Sequence, residues 1–231
     1  MNAVAIETVP NFTGDHKLTH RTLQAFAESA SLVSITAGEA FFRQGDPPTG
    51  LHILQSGRVK LCRQSHQRTQ ILALLLPGDW FGAESLPTDT ASPYTATALT
   101  AAEAVYVEPD ALQRLLADYP DFQETVIEIT AQRLKQLVSL VHDLAFRDVA
   151  SRLAAVLVAR AHREGTNING SIGIDRLLSQ QEFAEMIGTA REVINRAFKR
   201  FEQNGLLRLT PDHIFILDLK RLTEIAEQES S

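Results

Sequence analysis

One short stretch of the chain combines side chains that suit contact with the edges of DNA bases. Arg191 and Arg196 can each donate two hydrogen bonds to O6 and N7 of guanine, and Glu192 can accept one from N4 of cytosine. Asn195 and Lys199 follow Arg191 at intervals of four residues, so the three share one face of a helix. The spacing therefore predicts a helical surface that reads double-stranded DNA.

A pair of helices joined by a tight turn must position this surface. Ala184 is small enough for a close helix crossing, and Gly188, four residues later, suits the turn. The second helix is predicted to begin near Ala190. Gln181 and Thr189 are predicted as further DNA contacts, with Gln181 on a phosphate. Apolar side chains suited to hold the two helices together are Phe183, Ile187, Ile194 and Phe198.

A β-hairpin is predicted to follow the helix pair. It spans Leu206 to Leu217, with a turn at Thr210-Pro211-Asp212, and would form the wing of a winged helix-turn-helix. The alternative is a plain helical hairpin whose arginine and glutamate side chains only face water. The small residue, the glycine, the apolar positions and the hairpin together favour DNA binding.

The first half of the chain has the texture of a β-domain. From Ser31 to Val107, short apolar or alternating runs are separated by glycine and proline, which predicts about eight strands. A short helix is predicted before them, within residues 16–30, and another after them, which starts at Pro109-Asp110 and stops before Pro120. Tight turns that need a positive φ are predicted at Gly38, Gly45, Gly57 and Gly78.

A long helix is predicted from about Asp121 to Phe146, and a second from Val149 to Arg163, followed by a loop that leads into a short strand. On the long helix, a seam with alternating steps of three and four residues predicts a dimer interface at Ile127, Thr130, Leu134, Leu137, Val141 and Leu144. A second stripe is predicted to pack on the β-domain, at Phe122, Val126 and Ile129. The alternative is one wide stripe that faces the chain's own core.

Composition and motifs argue against several classes of function. The longest apolar run, Leu153 to Ala159, is much shorter than the roughly 20 residues of a membrane span. The single cysteine, Cys62, excludes an intrachain disulfide. No catalytic or metal-ligand motif is present, so we expect no enzyme activity, no metal, no cofactor and a cytoplasmic protein. The net charge of −6 does not oppose DNA binding, because basic residues cluster locally between Arg191 and Arg208.

Several stretches resemble the cyclic-AMP receptor protein / FNR family of bacterial transcription regulators. They are GEAFFRQGD, LHILQSGRVKL, LLLPGDWFG, LAFRDVASRLA and the helix-turn-helix, and they extend over nearly the whole chain. The resemblance implies an α+β chain: a cyclic-nucleotide-binding-type β-roll (a double-stranded β-helix), a long dimerisation helix and a winged helix-turn-helix. We place these parts at residues 1–118, 119–147 and 148–231.

The resemblance also implies a mode of action. A homodimer would read a two-fold symmetric site, with half-sites similar to TGTGA, through a recognition helix near residues 190–203. Arg191, Glu192 and Arg196 take the base-reading positions of the family. RNA polymerase is the expected protein partner. The competing class of function is a ligand-binding β-roll module that acts on a protein partner, which would leave the C-terminal part without a task.

The predicted effector pocket departs from the family's cyclic-AMP pattern. By the resemblance, Ala83 takes the place of a glutamate, Ser92 that of the phosphate-binding arginine, and Leu137 and Val138 those of hydroxyl residues. A buried phosphodiester needs a compensating cation, and no arginine or lysine occurs between positions 68 and 114. Cyclic AMP is therefore not expected as the effector. The pocket residues assigned in this way are Gly82, Ala83, Glu84, Ser92, Pro93, Leu137 and Val138.

Other ways in which the β-roll could sense a signal are not equally well supported by the sequence. A cluster held by four cysteines is excluded, because the chain has one. Haem bound through Cys62, His52, His66 or His142, and redox sensing by Cys62, are disfavoured, since isolated residues of these types more often only pack. An unidentified small-molecule effector and no effector at all are the remaining choices, and we favour the second.

Overall fold

The computed structural model describes residues 18–84, 91–168 and 170–228. Residue contacts divide the chain into two units, residues 1–137 and 138–231, and the boundary lies within the long helix. The division into three parts at positions 118 and 147 stays a prediction.

The first unit contains the predicted β-roll and the helices next to it. Eight strands among its described residues form two antiparallel four-stranded sheets, in the orders β1-β8-β3-β6 and β2-β7-β4-β5. The strands are β1 (Ala30–Ile35), β2 (Ala40–Phe42), β3 (Leu51–Ser56), β4 (Val59–Ser65), β5 (Arg68–Leu75), β6 (Trp80–Phe81), β7 (Thr95–Ala98) and β8 (Ala102–Val107). The helices are α1 (His20–Ser29), α2 (Pro109–Asp118) and α3 (Pro120–Phe146). The predicted strand number and the three predicted helices are confirmed.

Glycine turns connect the strands as predicted. Gly38, Gly45, Gly57 and Gly78 have φ values of 87°, 90°, 85° and 95°, a region that side chains oppose. Gly57 also lies against the backbone, since a Cβ there would be 2.3 Å from the Ala101 carbonyl oxygen. These turns keep the strands short and return them to the same two sheets.

The core of the first unit joins the sheet β1-β8-β3-β6 to the helices. The Phe122 ring of α3 lies 5.8 Å from Phe26 of α1 and 6.0 Å from Trp80 of β6, measured between ring centroids. Val126 and Ile129 pack against the same cluster. The predicted second stripe of the long helix therefore faces its own chain, which leaves the seam beside it available to a partner.

The second unit carries the helix pair and a second sheet. Its elements after α3 are α4 (Val149–Glu164), β9 (Thr166–Ile168), β10 (Ser171–Asp175), α5 (Gln180–Ile187), α6 (Arg191–Gln203), β11 (Leu207–Leu209), β12 (His213–Ile216) and α7 (Leu219–Ala226). The sheet has the antiparallel order β11-β12-β10-β9.

The structure corrects the loop that was predicted after α4. That segment is the hairpin β9–β10, in which Ser171 pairs with Ile168 and the turn passes through Gly170 at φ 84°. Gly173 permits the pairing, because a Cβ there would be 2.6 Å from the Ile168 side chain. The terminal helix α7 was not predicted; it packs on α4 and buries Leu222.

Candidate DNA interface and sensor pocket

Both ends of helix α5 are determined by nearby residues. The Ser179 hydroxyl accepts from the Glu182 N–H at 3.2 Å, and the Glu182 carboxylate accepts from the Ser179 N–H at 2.8 Å. This capping box satisfies two N–H groups at the start of the helix. Gly188 ends the helix in the left-handed conformation, at φ 72°. The turn that was predicted at Gly188 is confirmed.

The predicted apolar residues join α5 to α6. The rings of Phe183 and Phe198 meet edge to face, with centroids 5.1 Å apart. Ile187 and Ile194 are buried, and Ala184 is fully enclosed where the helices cross. This packing is that of a helix-turn-helix, in which α6 takes the place of the predicted recognition helix.

Helix α6 turns a charged face outward. Arg191, Glu192, Arg196 and Lys199 are exposed. The opposite face forms the core with Ile194, Ala197, Phe198 and Phe201. The side chains that were predicted to read bases are therefore open to a partner.

The other predicted DNA contacts lie on the same helix pair. Asn195 is half-buried, and its side-chain oxygen accepts from the Gln180 amide at 3.3 Å. Gln181 is exposed and donates to the Glu185 carboxylate at 3.1 Å. Thr189 is half-buried in the turn. Their roles toward DNA stay predictions, and Asn195 already has a partner within the helix pair.

Asp148 brings a negative charge beside α6. It forms a groove with Arg196 and Arg200 and caps the start of α4. A hydrogen bond from the Ser151 N–H lowers the pKa of Asp148; burial opposes this, and the positive charge of Arg200 adds to the lowering. The start of α4 is thus linked electrostatically to the recognition helix.

Strands β11 and β12 form the predicted wing. The Thr210 N–H donates to the His213 carbonyl at 2.9 Å, and the His213 N–H donates to the Thr210 hydroxyl at 3.0 Å. These two bonds close the turn at Pro211 and Asp212. The predicted hairpin is confirmed.

In the predicted effector pocket, Gly82 and Glu84 form a closed group with Tyr94. The Tyr94 hydroxyl donates to the Glu84 carboxylate at 2.6 Å. The Gly82 N–H donates to the same carboxylate oxygen at 3.0 Å and to the Tyr94 oxygen at 3.1 Å. Burial, and then the charge of Glu84, raise the pKa of Tyr94, so the phenol keeps its proton. The polar groups of the three residues bind one another.

A cation reaches this group from helix α3. Arg133 donates to the Trp80 carbonyl at 3.2 Å, and its charge acts on the Tyr94 phenol. With Ala83 and Glu84 it lines a cavity of about 20 Å³, which is room for one or two water molecules. Sequence reasoning missed Arg133 and Tyr94. The available signal was that Arg133 follows Ile129 by one helical turn, on the stripe that faces the β-roll.

The remaining predicted pocket residues do not line that cavity in the described part of the chain. Ser92 is buried, and its hydroxyl has no hydrogen-bond partner among the described residues. The Pro93 carbonyl accepts from Arg63 at 3.0 Å. Leu137 is half-buried and Val138 is 61% exposed. Their role toward an effector stays a prediction, and residues 85–90 lie outside the described ranges.

A buried histidine lies inside the β-roll. The His52 ring lies 4.7–5.6 Å from the centroids of the rings of Phe41, Phe42, Phe81 and Tyr106. Burial lowers the pKa of His52 to about 3. Its Nδ1 has no hydrogen-bond partner within the described residues. His52 is therefore a neutral packing residue at physiological pH.

Helix α3 exposes the apolar seam that was predicted as a dimer interface. Ile127, Leu134 and Val141, seven residues apart, are 59%, 62% and 66% exposed. Thr130 is exposed as well, whereas Leu137 and Leu144 are half-buried. Large apolar side chains this exposed, at heptad spacing, form a surface suited to a second helix.

Two other kinds of site are absent from the residues that the structure describes. No group of three or more histidine, cysteine, aspartate or glutamate side chains could hold a metal ion there. None of the described helices combines the length and the apolar character that a membrane span requires.

Comparison with known proteins identifies both halves of the chain. A family model described as "Cyclic nucleotide-binding domain" matches residues 32–119, and one described as "Crp-like helix-turn-helix domain" matches residues 151–225. The structure of FixK2 from Bradyrhizobium japonicum superimposes with a TM-score of 0.77 at 20% identity, covering 87% of this chain and 99% of that chain.

Curated relatives match over most of their own length. A "Global nitrogen regulator" from Synechococcus elongatus is 29% identical, covering 81% of this chain and 86% of the relative. A "CRP-like cAMP-activated global transcriptional regulator" from Mycobacterium tuberculosis is 32% identical over 205 residues, covering 88% of this chain and 92% of the relative. Together with the helix-turn-helix geometry, this similarity shows that the chain belongs to the Crp/Fnr family of DNA-binding transcription regulators.

Proposed function

We propose that the chain is a homodimer that reads a two-fold symmetric DNA site with half-sites similar to TGTGA. The observation that carries this proposal is the open face of α6, where Arg191, Glu192 and Arg196 are all exposed on a helix held by α5. The two arginines match guanine edges and the glutamate matches cytosine N4. RNA polymerase is the protein partner that we expect for such a regulator.

Contacts outside these three positions complete the interface. Lys199 continues the exposed face of α6 by two helical turns from Arg191. Gln181 lies at the start of α5, where side chains and N–H groups suit a phosphate. Asn195 and Thr189 are half-buried and adjoin this face. We assign these four residues contacts that fix the position of α6 on the duplex.

The exposed seam of α3 supports dimerisation. Ile127, Leu134 and Val141 repeat every seven residues, and Val138 adds a fourth apolar side chain that is 61% exposed. A second copy of the same helix presents the same repeat, so the seam is self-complementary. Two recognition helices in one dimer then require half-site centres about 34 Å apart.

We propose that DNA binding does not need cyclic AMP. The relative from Mycobacterium tuberculosis is named as cAMP-activated, so the distinction depends on the chemistry of this chain's pocket. Tyr94 and Gly82 already bind the Glu84 carboxylate. Glu84 adds a negative charge to the cavity that Arg133 lines, and Ser92 stands uncharged at the position that the family gives to an arginine.

The first experiment is a titration of ligand-free protein onto a palindrome with two TGTGA-like half-sites, at stated salt and with competitor DNA. We expect tight binding without additive and no gain from cyclic AMP. Binding only with cyclic AMP would contradict the pocket argument. Failure in both conditions, followed by failure of a random-sequence selection, would contradict the proposed DNA reading itself.

Base reading is tested by Arg191→Ala. It should cost about 1–3 kcal/mol of binding free energy on the best site and relax the preference at one base pair. The matched control is Arg221→Ala, which removes an exposed arginine from α7. Equal weakening on every sequence would mean that Arg191 only contacts the backbone.

A further inference from the structure

The tip of the wing is bound by a residue that lies outside it. Arg176 follows β10 and precedes α5. Its N–H donates to the Asp212 carbonyl at 2.8 Å, and its guanidinium Nη1 donates to the Thr210 carbonyl at 2.9 Å. One half-buried arginine therefore binds two carbonyl oxygens of the same turn, which fixes where the tip lies.

The recognition helix binds the other side of the wing. Strand β11 is at the edge of its sheet, where N–H groups on the outer side have no neighbouring strand. The Glu202 carboxylate, near the end of α6, accepts from the Leu209 N–H at 2.9 Å. The position of β11 is thus coupled to the helix that carries the base-reading residues.

The charge of the wing lies on one strand and not at the tip. The turn residues Thr210, Pro211 and Asp212 include no cation, and the carboxylate would repel a phosphate. Arg208 of β11 is exposed, and its guanidinium lies 5.0 Å from the centroid of the Phe215 ring. This stacking restrains the side chain, while no described residue accepts a hydrogen bond from its guanidinium.

We propose that Arg208 binds a backbone phosphate of DNA and that Arg176 and Glu202 are positioning residues that hold the wing in reach of it. The inference rests on the proposed reading of DNA by α6. A restrained arginine with unused donors loses little conformational entropy when it binds a phosphate. The hydrogen bonds of Arg176 and Glu202 to the wing fix the distance between Arg208 and the recognition helix. The phosphate contact of Arg208 and the base contacts of α6 therefore form together.

Arg208 is tested by the salt dependence of binding to the palindrome. The salt slope is taken here as the magnitude of the fall of log K with log salt; each lost phosphate contact lowers it by about 0.9, so Arg208→Met should lower it by about 2 in a dimer. Base preference should not change, because a backbone contact carries no sequence information. Arg221→Met is the matched control. An unchanged slope for Arg208→Met would overturn the assignment.

Arg176 is tested by a double-mutant cycle. Arg176→Met should weaken binding and lower the salt slope, yet cost nothing further when Arg208→Met is already present. Arg176→Lys should restore most of the loss, since an ammonium group can still donate to the Thr210 carbonyl. If Arg176→Met weakens binding equally in both backgrounds, it acts on DNA or on the fold directly, and the positioning role is wrong.

Glu202 is tested by comparing two variants that both remove its negative charge but differ in hydrogen bonding. Glu202→Gln keeps an oxygen that can accept from the Leu209 N–H, whereas Glu202→Ala does not. We expect Glu202→Gln to keep the salt slope and Glu202→Ala to lower it; equal slopes would contradict the tether. Arg191→Ala separates the two proposals: if it relaxes base preference while the wing variants leave the slope unchanged, only the wing inference fails.

Discussion

Replacing His52 by phenylalanine should remove a pH dependence of the stability of the first unit. His52 is 4% exposed, and burial lowers its pKa from 6.5 to about 3. In the unfolded chain the imidazole takes up a proton near pH 6.5, while in the folded chain it stays neutral. The unfolded state therefore binds more protons, so the free energy of unfolding falls as the pH falls from 6.5 toward 3.

The size of the effect follows from the two pKa values. At pH 5, the unfolded imidazole is almost fully charged and the folded one is neutral, which costs about 2 kcal/mol relative to pH 8. Phenylalanine retains the contacts with Phe81 and Tyr106. The larger phenylalanine ring would lie close to Gly82, because a Cβ built on that glycine would be 3.0 Å from the Nδ1 of His52. The crowding can cost about 1 kcal/mol of stability. That packing cost is the same at both pH values and cancels in the difference.

The assay is urea unfolding at pH 8 and pH 5, followed by the fluorescence of Trp80. This is the single tryptophan of the chain, and it is buried in the core of the same unit. His66→Asn is the control, because His66 is exposed at a turn with φ 52°, which asparagine tolerates. If wild type and His52→Phe lose the same free energy between the two pH values, the buried neutral imidazole is not the source of the acid sensitivity.

Three further changes test other parts of the chain. Leu134→Ala should weaken the dimer by about 2–4 kcal/mol in sedimentation, since each copy would bury a side chain that is 62% exposed, whereas Leu32→Ala, at 50% exposure on β1, should not. Ala190→Ser should raise the free energy of unfolding by about 1 kcal/mol in a denaturant titration, because the N-cap of α6 has no side-chain hydrogen bond. Asp121→Asn should destabilise the first unit above about pH 4 and have less effect below it. Burial raises the pKa of Asp121, but hydrogen bonds from the N–H and hydroxyl groups around the carboxylate lower the pKa below 3.8. The stabilisation that the carboxylate provides is therefore lost as the pH falls through the pKa of the folded state.

The helix-turn-helix was predictable because its signals are local. Ala184 allows α5 and α6 to cross closely, and Gly188, four residues later, ends α5 in the left-handed conformation. The turn glycines of the β-roll are local in the same sense, since each needs only its own φ. Where a few neighbouring residues determine the backbone conformation, a single sequence was sufficient to predict it.

The features that were missed depend on contacts between distant parts of the chain. Arg133 lies 39 positions after Tyr94 in the sequence, and it lines the same cavity as Glu84 only because α3 packs on the β-roll, so the sequence around Ser92 contains no sign of this cation. The hairpin β9–β10 gains its stability from pairing with β12, and α7 from packing on α4. Short elements such as these have little stability of their own, so their sequence signal is weak.

Tyr94→Phe tests whether the hydrogen bond between the Tyr94 hydroxyl and Glu84 prevents cyclic AMP from binding. The change removes the hydroxyl that donates to Glu84 at 2.6 Å but leaves the Gly82 N–H bound to the same carboxylate. A hydrogen bond to a carboxylate contributes about 1.5–3 kcal/mol, and because Glu84 is exposed to water, we expect a smaller loss of stability, about 1 kcal/mol.

The informative comparison is the melting temperature of wild type and Tyr94→Phe with and without cyclic AMP. A ligand at 100 times its dissociation constant stabilises the folded state by about 2.7 kcal/mol, which is readily measured. We expect no shift in either protein, because the change restores neither a glutamate at Ala83 nor an arginine at Ser92. A shift in the variant alone would mean that the phenol excludes the nucleotide. A shift in wild type would mean that Arg133 can neutralise the cyclic phosphate despite Glu84, and effector-independent binding would be the wrong proposal.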